Sequence, residues 1–379
     1  MKRCRIGAVC MAGIWLLTAA PAVSAESAPE TGAKAYVLMD GQTGQVVCES
    51  NADEKRPMAS TTKIMTTLLT LESGGLAEPF TVDSEAIMVE GSSMGLQPGD
   101  TVTKRVLCAG MLLPSGNDGA NAAAVRVGGD IPHFLEMMNA RAAAIGMTRT
   151  CFASPSGLDA EGHGASAYDM ALLAREALKN DDFAAICSQK SMTVSYGNPP
   201  YARTLTNTNK LLGMDDSVIG VKTGFTDAAG RCLVSAAERG GRRLICVTLF
   251  DRNDWADHEA LYDYGFAAAQ DYTVPLPDGL TADVEGGSVQ TVRCYLPEPL
   301  HLTAWNGIPP EVRTTVEMPP FLIAPVEKGE QIGTVIYHCG RSETARLPLL
   351  AAESAAALPA EPEKSPLQSI LDWLRNLFS

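Results

Sequence analysis

Strand-like patterns at both ends of a long helical stretch constrain the fold of this chain more than any other feature. Residues 35–49 read as a hairpin, with apolar runs on both sides of a turn. Residues 217–250 return to strand patterns, and 244–249 is a continuous apolar run typical of a central strand. Residues 60–190 between them carry mainly helical patterns. We therefore predict an α/β (α+β) unit whose two ends meet in one sheet flanked by a helical subdomain.

The sequence changes in character after Gln270. Residues 271–350 carry short β-branched runs broken by Pro and Gly, which predicts a small all-β domain. Residues 351–365 are rich in Ala, Pro and Glu and read as a linker. Residues 366–379 place apolar side chains at helical spacing, but a helix of about 21 Å is too short for a hydrocarbon core of about 30 Å. We interpret this segment as an amphipathic helix in a membrane surface, and the alternative is a helix packed on protein.

The N-terminus predicts export. Three basic residues (Lys2, Arg3 and Arg5) precede an uncharged apolar stretch, and Val23-Ser24-Ala25 supplies a small-x-small cleavage site. We expect residues 1–25 to be a signal peptide and 26–270 to form the first domain of the mature chain. The alternative is a retained membrane anchor, although the apolar stretch falls short of a spanning helix.

Charge and cysteine spacing exclude several function classes. Removal of the signal leaves 27 basic and 44 acidic side chains, a net charge of −17, which argues against a nucleic-acid partner. Ten cysteines occur and eight remain after cleavage, but no C-x-x-C pair is present. This spacing argues against a zinc site or a thioredoxin-like motif, so we expect no metal. Buried thiols are the default interpretation, and disulfides stay open in an exported protein.

Ser60 and Lys63 are the first candidates for chemistry. On a helix, positions i and i+3 are neighbours, so the lysine amine can reach the serine hydroxyl. A serine hydroxyl becomes a good nucleophile when a base takes its proton, and lysine can do so if burial or a nearby cation lowers its pKa. The plainer alternative for Ser60 is a helix cap.

Two more short motifs follow in order along the chain. Ser115-Gly116-Asn117 can supply a second hydroxyl and an amide, although an ordinary turn is the plainer interpretation. Lys222-Thr223-Gly224 ends a strand-like run and offers a charge for a carboxylate, a hydroxyl, and a residue without a side chain. Its alternative is a solvated strand end. Together, the three motifs match the S-x-x-K, S-D-N and K-T-G signature of penicillin-binding proteins and class A β-lactamases.

Longer segments around these motifs resemble the low-molecular-mass penicillin-binding proteins, the D-alanyl-D-alanine carboxypeptidases. The resemblance covers about 34–270, and its segments are ASTTKIMT at 59–66, GSSMG at 91–95, LLPSGND at 112–118 and GVKTGFTDAAG at 220–230. WADHEALYDYGF at 255–266 is similar to the branch found in spore-forming bacteria. The resemblance implies the penicillin-binding-protein/β-lactamase-like transpeptidase fold, and the later β domain and amphipathic tail suit that family's usual layout.

The resemblance also implies roles for individual residues. Ser60 would be acylated with Lys63 as base, and Ser115 and Asn117 would assist proton transfer and substrate placement. Lys222, Thr223 and Gly224 would receive the terminal carboxylate and the substrate backbone. The oxyanion hole would use the backbone N–H groups of Ser60 and Phe225, and such donors are typically worth about 3–4 kcal/mol.

One segment departs from the family pattern. Residues 163–170 read HGASAYDM, where the family more often has H-x-S-T-A-x-D-M. Ser166 and Asp169 form nearly a capping box for a helix that starts near Ala167, so we favour a structural role for them. A part for His163 or Asp169 in deacylation stays open.

These observations lead to one main hypothesis. The protein would be exported, lie on the outer face of the cytoplasmic membrane, and hydrolyse the terminal D-Ala-D-Ala bond of peptidoglycan stem peptides without a cofactor. β-Lactams would acylate Ser60. A β-lactamase is the first alternative, but residues 152–169 lack an E-x-x-x-N deacylation motif. A penicillin-binding sensor without turnover is the second. The sequence leaves open the diamino acid at stem position three, vegetative or sporulation use, endopeptidase activity and oligomeric state.

Overall fold

The computed structural model describes residues 27–275, 279–339 and 342–359. The predicted signal peptide (1–25) and the predicted amphipathic helix (366–379) therefore lie outside the described residues, as do residues 360–365 of the predicted linker. Within the described ranges, no helix is both long enough and apolar enough to cross a membrane. The described chain divides into two compact units, of which the first contains 27–272 together with 302–311, and the second contains the described residues of 273–301 and 312–359.

The first unit combines one large sheet with a group of helices. Its helices are α1 Lys63–Glu72, α2 Lys104–Leu112, α3 Asn117–Gly128, α4 Ile131–Ile145, α5 Ala167–Ala177, α6 Asp181–Cys187, α7 Leu211–Met214 and α8 Asp254–Ala267. Its strands are β1 Ala35–Asp40, β2 Val46–Ser50, β3 Pro79–Thr81, β4 Thr101–Thr103, β5 Ser191–Gly197, β6 Pro200–Thr206, β7 Val218–Thr226, β8 Gly230–Arg239 and β9 Arg242–Leu249.

The large sheet brings the two ends of this unit together, as the sequence predicts. Its strand order is β2-β1-β9-β8-β7, and all four pairings are antiparallel. Leu38 of β1 lies opposite Cys48 of β2 on one side and Cys246 of β9 on the other. The run predicted as a central strand, 244–249, lies in β9 at the middle of the sheet.

Alternate side chains of the central strands enter two different cores. Val37 and Val247 pack with the helices that include α1 and α5, whereas Leu38 and Cys246 pack with α8. This period of two is the expected geometry of a strand buried on both faces. Helix α1 is buried at nine of its ten positions, as expected for a helix enclosed by others. The structure also contains a smaller sheet, β3-β4-β5-β6, whose first two strands lie inside the region with a mainly helical pattern and whose last two follow it directly.

Among its described residues, the second unit is all-β, as predicted. The remaining strands are β10 Ala269–Thr273, β11 Thr281–Glu285, β12 Thr291–Tyr295, β13 His301–Trp305, β14 Val312–Glu317, β15 Leu322–Ile323, β16 Gln331–Cys339 and β17 Ser342–Ala351. Six of them form the sheet β14-β16-β17-β12-β11-β15 of the second unit, while β10 pairs with β13 and both of these lie almost entirely in the first unit. Val292, Ile332 and Ala351 belong to the buried apolar core of the second unit.

Strand pairing differs from the sequence-based boundaries at two places. Ala355 is buried and pairs with Val326, and Ala357 pairs with Gly287, so backbone pairing continues beyond residue 351, where the linker was predicted to begin. Residues 302–311 belong to the first unit although they follow the boundary at 270. The reason is Trp305, which is buried and donates its indole N–H to Asp40 Oδ2 at 2.7 Å.

Candidate active site

The nucleophile candidate lies on a 3₁₀ turn, Ala59–Thr62, that leads directly into α1. The hydroxyls of Thr61 and Thr62 donate to the carbonyls of Met58 and Ala59 at 2.6 and 2.8 Å, and these bonds fix the turn. Ala59 has φ +49°, a left-handed conformation that costs a non-glycine residue free energy and recurs at functional sites. No side-chain cap is formed on this turn or on α1, so Ser60 is not the helix cap of the plainer interpretation.

Lys63 is completely buried and surrounded by three oxygen atoms. Its Nζ lies 2.8 Å from Ser60 Oγ, 2.7 Å from Asn117 Oδ1 and 2.6 Å from the carbonyl oxygen of Ser156. The amide and carbonyl oxygens can only accept hydrogen bonds, so each takes one N–H of the amine. In the neutral amine the lone pair is then directed at the Ser60 hydroxyl. Burial lowers the pKa of Lys63 well below its usual value, and the charge of Lys222 lowers it further. Both effects favour the neutral amine.

The carbonyl of Ser156 is a contact that sequence reasoning missed. Its segment is fixed by Ser154, whose Oγ accepts from the backbone N–H groups of Ser156 and Gly157 at 3.3 and 3.1 Å. Gly157 has φ +88°, and a Cβ there would lie 2.0 Å from the carbonyl oxygen of Ala59. A backbone atom leaves no side-chain signature in a sequence. The signal that could have found it is therefore the glycine, since only glycine permits this approach.

The Ser115-Gly116-Asn117 loop reaches Lys63 through its amide. Asn117 begins α3, and its Nδ2 donates to the carbonyl of Glu90 at 2.7 Å while Oδ1 faces Lys63. Ser115 is buried, with φ +66°. In the part of the chain that the structure describes, no hydrogen bond joins the Ser115 hydroxyl to Lys63 or Lys222, so its predicted role in a proton relay stays a prediction.

Strand β7 lies against the nucleophile turn. A Cβ on Gly224 would lie 3.0 Å from Met58 O and 3.1 Å from Ser60 N, so the absence of a side chain there allows the two segments to meet. Lys222 is buried and donates to the carbonyl of Thr223 at 2.8 Å. Burial lowers the pKa of Lys222 to about 7. The side chain of Phe225, the next residue after Gly224, is 64% exposed.

Thr208 is a second residue that the sequence analysis missed. Its Oγ1 lies 2.6 Å from Thr223 Oγ1, and its backbone N–H donates to the carbonyl of Leu113, two residues before Ser115. The threonine pair therefore links β7 to the loop of the second motif. Nothing in the spacing of Thr208 distinguishes it from the other threonines of the chain.

His163 is held in one tautomer. Its Nδ1 accepts from the backbone N–H of Ala153 at 3.0 Å, so the ring proton is on Nε2 and is donated to Thr62 Oγ1 at 2.9 Å. Burial lowers the pKa of His163 to about 4, which keeps the ring neutral. His163 therefore connects the segment that carries Ser156 to the turn that carries Ser60.

Ser166 caps α5, as favoured from the sequence, because its Oγ accepts from the backbone N–H of Asp169 at 3.1 Å. The Asp169 carboxylate does not complete a capping box. It accepts from Arg149 N and Thr150 Oγ1, each at 2.7 Å. Asp169 thus binds the chain that precedes the 153–157 segment, and burial raises its pKa.

This arrangement defines a serine acyl-transfer enzyme. It contains a hydroxyl nucleophile, a buried amine within hydrogen-bond distance of it, and a strand edge with a second cation beside it. Among the described residues, no three His, Cys, Asp or Glu side chains converge in a metal-binding arrangement. The eight cysteines of the same part of the chain are free thiols.

Comparisons with known proteins place this enzyme in a family. The model of the D-alanyl-D-alanine carboxypeptidase family matches residues 22–253, and that of the penicillin-binding protein 5 C-terminal domain matches residues 267–356. The chain belongs to the D-alanyl-D-alanine carboxypeptidase family of serine peptidases, as its resemblance to the low-molecular-mass penicillin-binding proteins implied.

Relatives cover nearly the whole chain. D-alanyl-D-alanine carboxypeptidase DacF of Bacillus subtilis is 31% identical over 92% of this chain and 94% of its own length. DacC of Escherichia coli is 35% identical over 89% of this chain and 88% of its own length. Penicillin binding protein 5 from Haemophilus influenzae superposes with a TM-score of 0.65 at 28% identity, covering 87% of this chain and 99% of that structure.

Proposed function

We propose that the protein removes the terminal D-alanine from peptidoglycan stem peptides through an acyl-enzyme on Ser60. The observation that carries the proposal is the position of the Lys63 amine, with two carbonyl-type acceptors and the Ser60 hydroxyl around one nitrogen. A neutral lysine held in this way can take the serine proton as general base.

The first half-reaction forms an ester. Ser60 Oγ attacks the carbonyl carbon of the penultimate D-alanine while its proton passes to Lys63. The C–N bond to the terminal D-alanine then breaks, and its nitrogen receives a proton from Lys63, directly or through Ser115. The developing oxyanion accepts from the backbone N–H groups of Ser60 and Phe225. The close approach of Gly224 to Ser60 N supports this assignment.

Lys222 and Thr223 receive the carboxylate of the terminal D-alanine. Among the described residues no acidic side chain pairs with buried Lys222, so this lysine favours an incoming anion, and a carboxylate beside it raises its pKa and restores its charge. Thr223 adds a hydroxyl, and the nearby Thr208 can reinforce it. The substrate backbone then lies along β7 past Gly224, with Asn117 beside it.

Water completes the reaction by hydrolysing the ester on Ser60. Lys63, neutral again after the amine has left, is the group placed to activate that water, because its nitrogen remains within reach of Ser60 Oγ. β-Lactams acylate Ser60 by the same first step, as is typical of this family.

We also infer that the enzyme is exported and lies on the outer face of the cytoplasmic membrane. The signal-like residues 1–25 support export, and the apolar spacing of 366–379 supports attachment of an amphipathic helix to the membrane surface. We propose that the rest of the chain consists of a catalytic domain from 26 to 270, a β-rich domain from 271 to 350 and a linker from 351 to 365. Residues 302–311 are the exception, because they pack with the first unit although they follow residue 270.

The test uses the chain from Glu26 to Ser379 and a synthetic stem pentapeptide ending in D-Ala-D-Ala. We expect release of free D-alanine by the wild type and none by Ser60→Ala. Labelling of Ser60 by fluorescent penicillin without D-alanine release would contradict the trimming function and favour a sensor. Fast hydrolysis of penicillin with no action on the peptide would favour a β-lactamase.

A further inference from the structure

The segment 90–96, which lies outside any helix or strand, sets the orientation of Asn117. The Asn117 Nδ2 donates to the carbonyl of Glu90 and its backbone N–H donates to that of Ser92, both at 2.7 Å. Because Nδ2 is committed to a carbonyl, the amide presents Oδ1 to Lys63, at 2.7 Å. The backbone of this segment therefore determines which atom of the amide meets the base.

Asp118 holds the same segment from the inside. Its carboxylate accepts from Ser93 Oγ at 2.6 Å and from the backbone N–H groups of Met94, Gly95 and Leu96 at 2.9, 3.0 and 2.9 Å. These four donors from one segment make the buried carboxylate a strong, charge-assisted anchor. These bonds use the N–H groups of residues 94–96 and leave the carbonyls of Met94 and Gly95 for other donors.

The hairpin of β5 and β6 supplies those donors. The hydroxyl of Tyr196, a buried residue, donates to the carbonyl of Met94, and Arg203 Nη1 donates to that of Gly95 at 2.7 Å. The Arg203 guanidinium lies between two aromatic rings, 4.1 Å from the centroid of Tyr196 and 4.2 Å from that of Tyr201. This stacking fixes a long, flexible side chain in one position.

We propose that Tyr196 and Arg203 are positioning residues for the acylation step: they hold segment 90–96 in the backbone arrangement that turns Asn117 Oδ1 toward Lys63. The inference rests on the proposed function, because it assigns Lys63 as the base. In the described chain, no hydrogen bond joins either residue to Ser60. When the segment relaxes, the amide can rotate, and the amine loses one of the two acceptors that direct its lone pair at Ser60.

The expected loss has two measurable parts. Misplacement of the base slows acylation by about tenfold. Loss of an acceptor that favours the charged amine lowers the pKa of Lys63 further. The acid limb of the pH profile, where the acylation rate rises as Lys63 loses its proton, therefore moves to lower pH. A residue that only stabilises the fold lowers the melting temperature without moving that limb.

The experiment compares Tyr196→Phe with Tyr201→Phe in the chain from Glu26 to Ser379. Each variant removes one hydroxyl from a ring stacked on Arg203. Of these two hydroxyls, only that of Tyr196 has a hydrogen-bond partner within the described chain. The readouts are the second-order rate of Ser60 labelling by fluorescent penicillin across pH and the melting temperature. We expect Tyr196→Phe to label about tenfold more slowly, with a shifted acid limb, and Tyr201→Phe to match the wild type.

A second pair keeps the test decisive if one variant folds poorly. Arg203→Gln removes the donor to Gly95, while Arg126→Gln removes a comparable stacked arginine, 4.7 Å from the Phe80 ring, that does not touch segment 90–96. Lower melting temperatures with unchanged labelling rates and pH profiles in Tyr196→Phe and Arg203→Gln would overturn the inference. Failure of the wild type to label at Ser60 would instead overturn the proposed function, and the inference with it.

Discussion

The carbonyl oxygen of Ser156 lies 2.6 Å from Nζ of Lys63, and Asn117 Oδ1 lies 2.7 Å from the same nitrogen. A main-chain atom thus helps to direct the lone pair of the base, and the position of the whole 153–157 segment becomes part of the catalytic geometry.

Gly157→Ala should abolish most of the acylation activity. The new Cβ would lie 2.0 Å from the carbonyl of Ala59, so either Ser156 or the Ser60 turn must move. We expect labelling by fluorescent penicillin to fall about a hundredfold. Gly162→Ala is the matched control, because Gly162 also has positive φ, at +74°, but has no neighbouring atom within 4 Å of the new Cβ. Equal rates in the two variants would contradict the contact.

The pH profile of kcat/KM should be bell-shaped for a peptide with a free C-terminal carboxylate. Activity rises with pH as Lys63 loses its proton, and the limb lies far below the usual lysine value of about 10.4 because the pKa of Lys63 is lowered. Activity then falls as pH rises through the pKa of Lys222, at about 7 in the free enzyme, since neutral Lys222 no longer attracts the carboxylate.

Two controls separate these limbs. A peptide with a C-terminal amide should lack the alkaline limb, and Lys222→Arg should lose it for the natural carboxylate because arginine stays charged. An alkaline limb that persists in Lys222→Arg would assign it to another group.

His163→Gln should reduce stability without trapping an acyl-enzyme. The Nε2 proton of His163 is already donated to Thr62, so this nitrogen has no lone pair for an attacking water. The loss of buried hydrogen bonds should cost about 1–3 kcal/mol in the free energy of unfolding, measured with urea. Accumulation of a long-lived penicilloyl-Ser60 in the variant, seen by mass spectrometry, would show instead that His163 takes part in deacylation.

Thr208→Val should weaken binding of the substrate carboxylate. The change removes the hydroxyl 2.6 Å from Thr223 Oγ1 with little change in volume. We expect kcat/KM for the pentapeptide to fall about fivefold to tenfold, mainly through KM, which corresponds to a net hydrogen bond of about 1 kcal/mol. Thr193→Val is the control, since its hydroxyl pairs with Thr204 at 3.3 Å on an exposed hairpin. A change in kcat alone would assign Thr208 a different role.

Trp305→Phe should destabilise the first unit by about 2–3 kcal/mol, because the buried Asp40 loses a donor to its carboxylate. Trp255→Phe, which alters a partly buried ring beside Arg231, should cost about 1 kcal/mol or less. Denaturant unfolding of both variants measures the difference. Similar losses would show that the indole N–H contributes little.

The sequence predicted the parts of this protein that depend on local pattern. Runs such as 244–249 identify central strands because both faces are buried, and the first two motifs contain Ser60 and Asn117, whose side chains contact Lys63. The sheet β3-β4-β5-β6 was missed because its first two strands have three residues each, too few to establish a period. Ser156 was missed because it acts through its backbone carbonyl. Thr208 was missed because its contact with Thr223 forms only in the folded chain.

The packing of residues 302–311 with the first unit has a consequence for recombination between related genes. The polypeptide passes between the two units three times, near 272, 301 and 311, instead of once. A single crossover near codon 270 would therefore replace the strand that carries Trp305 together with the second unit. Asp40 would then face a strand encoded by the other gene. Chimeras between relatives should keep a stable first unit only where that indole–carboxylate pair is preserved.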